Sequence, residues 1–498
     1  MPEPRHYDIV VVGAALGGLI MGAAFARRGY KVAVVDQLTT TGGKVGAVEY
    51  QGYWINFGHR DARNGIGDAS LSDDSLRQAE ALAGISMERN VNGFGPAMRI
   101  HSIPDGGVLE VPNVTITGGV TDDLALYRGM VRMFTELSAD AEIDQVARQL
   151  KDTLTDLRAV DDNTAWSLVE VRLDEWCRRH GYSPELREVL VNYLEATASS
   201  PGEDSSIGRF ILHLRNRISA GSTIDHDRVG GMQTAVAPFE QAVRDNGGEL
   251  WLGWKPVEIT IAGRQVTGVV AVNSANLVQE LKAPVVVTDW FGWNLPELVD
   301  ERLLPKTFMQ AARAVEPYGT DVASWVAGTH RLPHVRSTGQ TEDFRGWQRI
   351  SLGIGVKKTY FGGFHWPSFL HRHSAPEGMH QIMVTVPNTG NERYGSWQEA
   401  KSAVDRALTY VRDYYADLDE CVEWSSYQWV PAPQIHTWYL KPVYRHPIKV
   451  STLHGLYVAA GSCEGAGAWI RMEINAAVDV VEMVEAEWGS TLHRGPAS

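Results

Sequence analysis

The segment VVVGAALGGLIMGAAFARRGYKVAVVDQ, Val10 to Gln37, constrains the fold more than any other part of the chain. Asp8-Ile9-Val10-Val11-Val12 is a short continuous apolar run, as expected of a parallel strand buried on both faces. The chain turns at Gly13, enters a stretch rich in Ala, Leu and Met, and reaches a basic last turn and stop glycine at Arg27-Arg28-Gly29, which predicts a helix. A second apolar run, Lys31-Val32-Ala33-Val34-Val35, closes on Asp36. Strand, glycine turn, helix, strand and acid thus follow in the order of a dinucleotide-binding unit. In such a unit Gly13 permits the tight turn and Gly18 a close approach of helix to strand. The helix N-terminus offers N–H groups to a pyrophosphate, and Asp36 accepts ribose hydroxyls while repelling a 2′-phosphate, which disfavours NADP. One position departs from the fingerprint: Ala15 stands where backbone comes nearest the pyrophosphate, with Gly17 giving slack beside it. The alternative is a plain βαβ unit whose glycines serve packing alone.

At 498 residues the chain exceeds what one core usually spans, so two or three intertwined domains are expected. Val45–Tyr50 and Tyr53–Ile55 read as short strands around Gln51-Gly52, and Gly42-Gly43 as a loop that brings backbone near a ligand. Helical spacing dominates from Thr121 to Ala159 and from Asn163 to Ser219, a helical insertion. Glycine and strand signals return with a helix over Thr234–Asp245 and a strand at Val285-Val286-Val287. A mixed region rich in Trp, His and Pro follows. The chain then gives a strand, a glycine loop, and a helix from about Trp469 to Glu487. Nucleotide-like segments therefore occur at the start, middle and end, a discontinuous architecture.

A formal charge of −14, from 46 basic and 60 acidic residues without any basic run, argues against nucleic acid and anionic lipid surfaces as partners. No apolar stretch reaches the roughly 20 residues of a membrane span, and the N-terminus enters the first strand too soon for a signal peptide. Three scattered cysteines, Cys177, Cys421 and Cys463, indicate neither a disulfide framework nor a zinc site, and the expected location is the cytoplasm. The sequence leaves homo-oligomerisation open. Sixteen tryptophans, many between Trp290 and Trp438, either fill cores or line a pocket for a flat or bulky ligand.

Five stretches together resemble the FAD-dependent amine oxidase and phytoene desaturase superfamily, most closely its phytoene desaturase and retinol saturase branch. They are the opening unit joined to Gly42-Gly43-Lys44, the strand Gly52–Gly58, VGGMQTAVAPFEQAVRDNGGEL, SAPEGMHQIMVTVP at Ser374–Pro387, and GLYVAAGSCEGAGAW near the end. They span nearly the whole chain in the family's order. Two further departures stand out: Gly461-Ser462 replaces the family's Gly-Asp in the closing motif, and Asn56 stands where many relatives have Asp.

The resemblance implies an α/β fold in which a Rossmann-type, GR2-like FAD-binding domain (1–75, 222–290 and 445–490) is interleaved with an α+β substrate domain. That second domain, 76–221 and 291–444, carries the helical insertion. FAD is the implied cofactor, held by Gly13, Ala15, Leu16, Gly17, Gly18, Asp36, Gln37, Gly42, Gly43, Lys44, Gly58, His59, Val257, Gly461, Ser462, Ala468 and Trp469. Val257 stands where a family valine meets the adenine moiety.

A flavin supplies hydride chemistry, and the protein positions the substrate carbon and manages the proton. His59, after the Gly58 turn, is the candidate for proton transfer, with Arg60 positioning a polar group or the flavin; otherwise both are surface turn residues. Trp366, Tyr427, Trp429, His436 and Trp438 are candidate substrate-wall residues, with structural core as the alternative. His365, His371 and His373 lack a Cys or carboxylate to complete a ligand set, so no metal is expected. Cys463 offers a covalent flavin link against the simpler reading of a free thiol. Arg471 and Glu473, at the start of the last helix, are candidates to meet substrate or flavin carbonyl oxygens.

The expected function is FAD-dependent desaturation, saturation or isomerisation at a carbon–carbon bond of a lipophilic terpenoid-, carotenoid- or alicyclic-type substrate. A smaller terpenoid or alicyclic compound fits the Trp-rich character better than a long polyene. The alternatives are a flavin amine oxidase and, outside catalysis, a carrier without FAD, similar to Rab GDP-dissociation inhibitors.

Overall fold

The computed structural model describes residues 2–58, 74–87, 89–90, 97–102, 108–112, 124–198, 205–208, 210–211, 223–224, 231–316, 319–344, 346, 348–351, 362–370, 373–387, 394–435, 445–464 and 470–492. Among them, five segments far apart in sequence form one parallel sheet. Its strand order is Glu249–Leu252, Val32–Asp36, Ile9–Val12, Val285–Thr288, Leu456–Val458. The apolar runs explain it: side chains alternate between faces, and both faces are covered. Ile9, Val11, Val32, Val34, Val285 and Val287 pack under the helices Leu16–Arg27, Gln233–Asp245 and Ile470–Leu492. Val10, Val12, Ala33, Val35 and Val286 pack the other way, against a four-stranded sheet and the helix Lys306–Val315. That sheet runs Arg5–His6, Val278–Lys282, Gln265–Asn273, Trp254–Ala262.

Because the five strands are parallel, their C-terminal ends share one edge. Gly13, Gln37, Gly253, Asp289 and Ala459 each directly follow a strand there, and a crevice at this edge is where open α/β sheets take ligands.

The helical insertion has a core of its own. Leu124–Phe134, Asp140–Ala159, Leu173–Arg179 and Pro184–Ala198 bury Tyr127, Phe134, Leu150 and Leu190.

A seven-stranded sheet completes the second half, in the order Val422–Ile435, Gly319–Thr329, His380–Pro387, Gly362–His365, Gln348–Ser351, Ala97–Ser102, Val108–Pro112. Its neighbours are antiparallel except for the parallel pair Gln348–Ser351 and Ala97–Ser102. One face lies against the helix Trp397–Tyr414 through Ala323, Trp325, Phe364 and Val384. On the other, Val326 and Met383 meet Tyr53 and Ile55 of the hairpin Val45–Tyr50/Tyr53–Gly58. This contact joins the two halves of the molecule. No described helix is long and apolar enough to cross a membrane.

Candidate functional site

At the carboxyl edge of the parallel sheet the chain turns at Gly13, which has φ +105°. A Cβ there would lie 1.6 Å from Oδ1 of Asp289, and one at Gly18 would lie 2.0 Å from the carbonyl oxygen of Gly13. Gly13 is therefore required by conformation and by contact, and Gly18 by contact. Helix Leu16–Arg27 begins at Ala15, whose side chain cannot cap it, and holds no acid in its first turn; the carboxyl of Asp289, at the end of another strand, takes the Gly18 and Ala15 N–H groups instead.

Asp36 closes the adjacent strand and organises the loop. Its Oδ2 accepts from the Ala14 N–H at 2.7 Å and its Oδ1 from Leu38 N–H at 2.8 Å. Each oxygen keeps a second lone-pair direction for a ribose hydroxyl. Burial raises the Asp36 carboxyl above the ordinary range, opposed by these two hydrogen bonds. Gln37 follows it and is exposed. The Gly253 N–H donates to the Leu38 carbonyl, so the strand Trp254–Ala262 leaves beside this corner. Val257 lies on it at a register shift between Pro256 and Glu258, 39% exposed.

The departure at Ala15 has a structural counterpart. Gly42 N–H donates to the Ala14 carbonyl at 2.8 Å, and Ala15 bridges Gly42. A Cβ at Gly43 would come 2.8 Å from the Ala15 methyl. The side-chain volume added at Ala15 is accommodated by its absence at Gly43. Leu16 and Gly17 continue the turn, Leu16 buried in the first core and Gly17 set near Ala459 and Glu473. Gly58 pairs with Val45, one residue from Lys44. The Lys44 ammonium lies 4.4 Å from the Phe291 ring.

Three carboxylates converge here. Asp289, directly after the strand Val285–Thr288, accepts from Gly18 N–H at 3.2 Å and also from Ala15. Burial pushes its carboxyl up to about 8, with Asp36 and Glu473 adding to the shift. Glu473, in the first turn of helix Ile470–Leu492, is raised by burial and lowered in part by Lys44. Its Oε1 would lie 3.7 Å from a Cβ at Gly461. Asp289 has no motif to announce it; the sequence signal was only its place at the end of an apolar strand.

Ser462 faces inward. Its hydroxyl lies 2.8 Å from His446 Nε2 and accepts from the Gly292 N–H at 3.1 Å. His446 Nδ1 lies 2.9 Å from the Pro447 carbonyl, and burial pulls this imidazole down to about 4. A neutral ring that donates from Nδ1 accepts the Ser462 proton at Nε2, so the hydroxyl is engaged within the protein. Cys463 is buried in the first core, its thiol pushed up to about 12 by burial, which holds it protonated and unreactive. Asn56 is used structurally, its Oδ1 accepting from Met232 N–H at 2.9 Å.

Trp366, Tyr427 and Trp429 do not join this group. All three lie in or against the core under the helix Trp397–Tyr414, on the sheet face opposite the Tyr53 hairpin. Trp366 Nε1 donates to the Tyr415 hydroxyl at 3.0 Å, and that hydroxyl donates to buried Glu342 at 2.7 Å. Tyr427 donates to Asp405 on the helix at 2.5 Å. Their placement is that of core residues, because aromatic bulk is what fills the space between sheet and helix. His365 is buried and His373 exposed. His59, Arg60, His371, His436, Trp438, Ala468 and Trp469 lie outside the described residues, and Arg471 is described by backbone alone.

Residues 11–62 match the family model of NAD(P)-binding Rossmann-like domains. Over 437 residues the chain is 24% identical to the neurosporene-forming phytoene desaturase of Rhodobacter capsulatus, spanning 81% of this chain and 77% of that protein. A stretch of 56 residues is 43% identical to one of the limonene dehydrogenase polypeptides of Castellaniella defragrans, 11% of this chain and 10% of that one. The fold is shared with an oxidoreductase from Methanosarcina mazei, at TM-score 0.66 and 13% identity over 95% of this chain and 100% of that one. Cyclohexylamine oxidase from Brevibacterium oxydans shares it at TM-score 0.55 and 13% identity, over 97% and 99%. A Rab GDI from Plasmodium falciparum shares it at TM-score 0.52 and 11% identity, over 98% and 99%. The chain is thus similar to a phytoene desaturase over most of both lengths, opens on a Rossmann-like segment, and shares its fold with an amine oxidase. The fold alone serves both oxidoreductases and a Rab GDI, so function rests on the site.

Proposed function

We propose that this chain is an FAD-dependent oxidoreductase acting on a carbon–carbon bond of a lipophilic compound, by desaturation, saturation or isomerisation. The observation that carries the reading is the joining of Gly13–Gly18, Asp36 and Gly42–Lys44 at one helix N-terminus, a cradle that added Cβ atoms would fill. A carrier without a dinucleotide has no use for it. The desaturase relative, aligned over most of both chains, supports carbon–carbon chemistry. The short match to a limonene dehydrogenase agrees with a terpenoid or alicyclic substrate, smaller than a carotenoid.

The residues present fit FAD: the helix N-terminus and Ala15–Gly17 for the pyrophosphate, Asp36 for the adenosine ribose, and Val257 and Gln37 on the adenosine side. Once bound, the flavin accepts or returns hydride. The chain's own work is to exclude water and to hold the proton. The contact of Val326 and Met383 with Tyr53 and Ile55 supplies an apolar seal between the two halves. We assign proton transfer to His59 and positioning to Arg60; His59→Ala should retain flavin and lose at least tenfold in turnover. The amine oxidase alternative uses aromatic side chains as a cage for the substrate amine, and Tyr427 and Trp429, packed toward the helix Trp397–Tyr414, are placed for core rather than cage. Cytoplasmic work suits three buried, unpaired cysteines.

The test is anaerobic mixing of the FAD-loaded protein with cyclic monoterpenes, alicyclic alkenes and amines, followed by absorbance. Bleaching of oxidised flavin by the hydrocarbons supports the reading. Bleaching by amines alone, with peroxide release in air, would replace it with the amine oxidase.

A further inference from the structure

The site as built poses an electrostatic problem. A dinucleotide brings a doubly negative pyrophosphate to the N-terminus of helix Leu16–Arg27, yet Asp289 already stands there. Its Oδ2 accepts from Gly18 N–H at 3.2 Å, and its Oδ1 is so close over Gly13 that a Cβ would sit 1.6 Å away. The groups facing it are acidic from two sides: Asp36 from the strand Val32–Asp36 and Glu473 from the helix Ile470–Leu492. Lys44, from the Gly42–Lys44 loop, faces Glu473 and the Phe291 ring. Two further negative charges next to an ionised Asp289 would meet repulsion in a buried setting, where Coulomb energies are largest.

We propose that Asp289 belongs to the dinucleotide site as a neutral carboxylic acid, so that uptake of the cofactor is coupled to the proton on this side chain. This inference rests on the FAD reading above. The carboxyl accepts the Gly18 and Ala15 N–H groups, and its proton is available to an acceptor on the pyrophosphate. A protonated acid in this place offers a donor without adding charge, and it completes an anion site whose other donors are backbone N–H groups. Burial and the neighbouring acids hold the group protonated to about 8 in the ligand-free protein. Below that value the acid is already neutral and binding takes up no proton; above it each molecule bound must draw one proton from solution, and affinity falls up to tenfold per pH unit.

The experiment titrates FAD into the FAD-stripped protein between pH 6.5 and pH 9, read by flavin fluorescence. The dissociation constant should stay level to about pH 7.5 and rise about tenfold by pH 9. Asp289→Asn, which keeps an acceptor for Gly18 and a donor without a titrating proton, should bind with the same affinity throughout. Glu473→Gln should retain the rise. Calorimetry of the wild type in two buffers of different ionisation enthalpy should show almost no proton uptake at pH 7 and nearly one proton at pH 9, whatever the folding of the variants. A level wild-type profile without proton uptake, or a rise that persists in Asp289→Asn, overturns the proposal while leaving the FAD reading intact. Failure of the wild type to bind FAD at any pH overturns both.

Discussion

The two large sheets use the same residue classes for opposite ends. In the parallel sheet, every strand is apolar on both faces, and the chemistry sits beyond the strand ends, at Gly13, Asp36 and Asp289. In the seven-stranded sheet, one face is a core under the helix Trp397–Tyr414. The other presents Ser324 and Thr385, 3.1 Å apart, beside the Val326–Met383 contact. Backbone and loop geometry make the crevice at the first sheet, whereas side chains make the face of the second. The aromatic residues around Trp366 pack on the helix side, while on the other face Trp424 lies edge-to-face with Tyr53, ring centroids 5.0 Å apart.

The largest effect should come from the glycine loop. Gly18→Ala forces a methyl against the Gly13 carbonyl and should weaken FAD binding at least a hundredfold by fluorescence titration. Gly29→Ala has open space around it but sits at φ +86°, and should cost only about 1 kcal/mol of stability with affinity unchanged. Equal effects at both would mean that the loop is scaffold alone.

Trp366→Ala should cost about 3–5 kcal/mol in urea denaturation and leave FAD affinity within twofold. A small stability loss with a large rise in substrate KM would return Trp366 to the pocket. Next comes Asp289→Asn in the ligand-free protein. The folded carboxyl titrates near 8 and the unfolded one about 3.9. Between those values the folded state holds a proton that the unfolded state has released, so wild-type stability falls as pH rises from 4 to 8. The variant escapes this and should gain roughly 3–4 kcal/mol at pH 8 relative to pH 5; equal differences at the two pH values would contradict the assignment. Smallest is Ser462→Ala, which removes the His446 hydrogen bond and should cost about 1 kcal/mol with FAD affinity kept. A loss of affinity at unchanged stability would mean that Ser462 turns outward when cofactor binds.

The parallel sheet was legible because its cues are local: continuous apolar runs, a stop glycine after Arg28, an acid at the end of Val32–Asp36. The expected helix Thr234–Asp245 is found at Gln233–Asp245, and the closing helix runs Ile470–Leu492, past the expected end at Glu487. The sheet face of Trp366, Tyr427 and Trp429 was not legible. Which side of a strand meets a helix depends on pairing register across strands some sixty to a hundred residues apart, as in Trp325 opposite both Val384 and Tyr427. Asp289 was missed for a related reason: its role comes from Gly18, 271 positions away in sequence. Ala15 and Ser462 were visible as departures, but their resolution, a methyl over Gly43 and a hydroxyl on His446, exists only in the folded chain.

The dinucleotide site stands or falls on the visible absorption spectrum of the purified protein with FAD added, recorded before and after denaturation. A bound flavin spectrum is expected, with the chromophore released intact on denaturation, since Cys463 is buried and protonated. A protein that stays colourless and takes up no FAD would contradict the dinucleotide site, and flavin that remains attached after denaturation would contradict the non-covalent one.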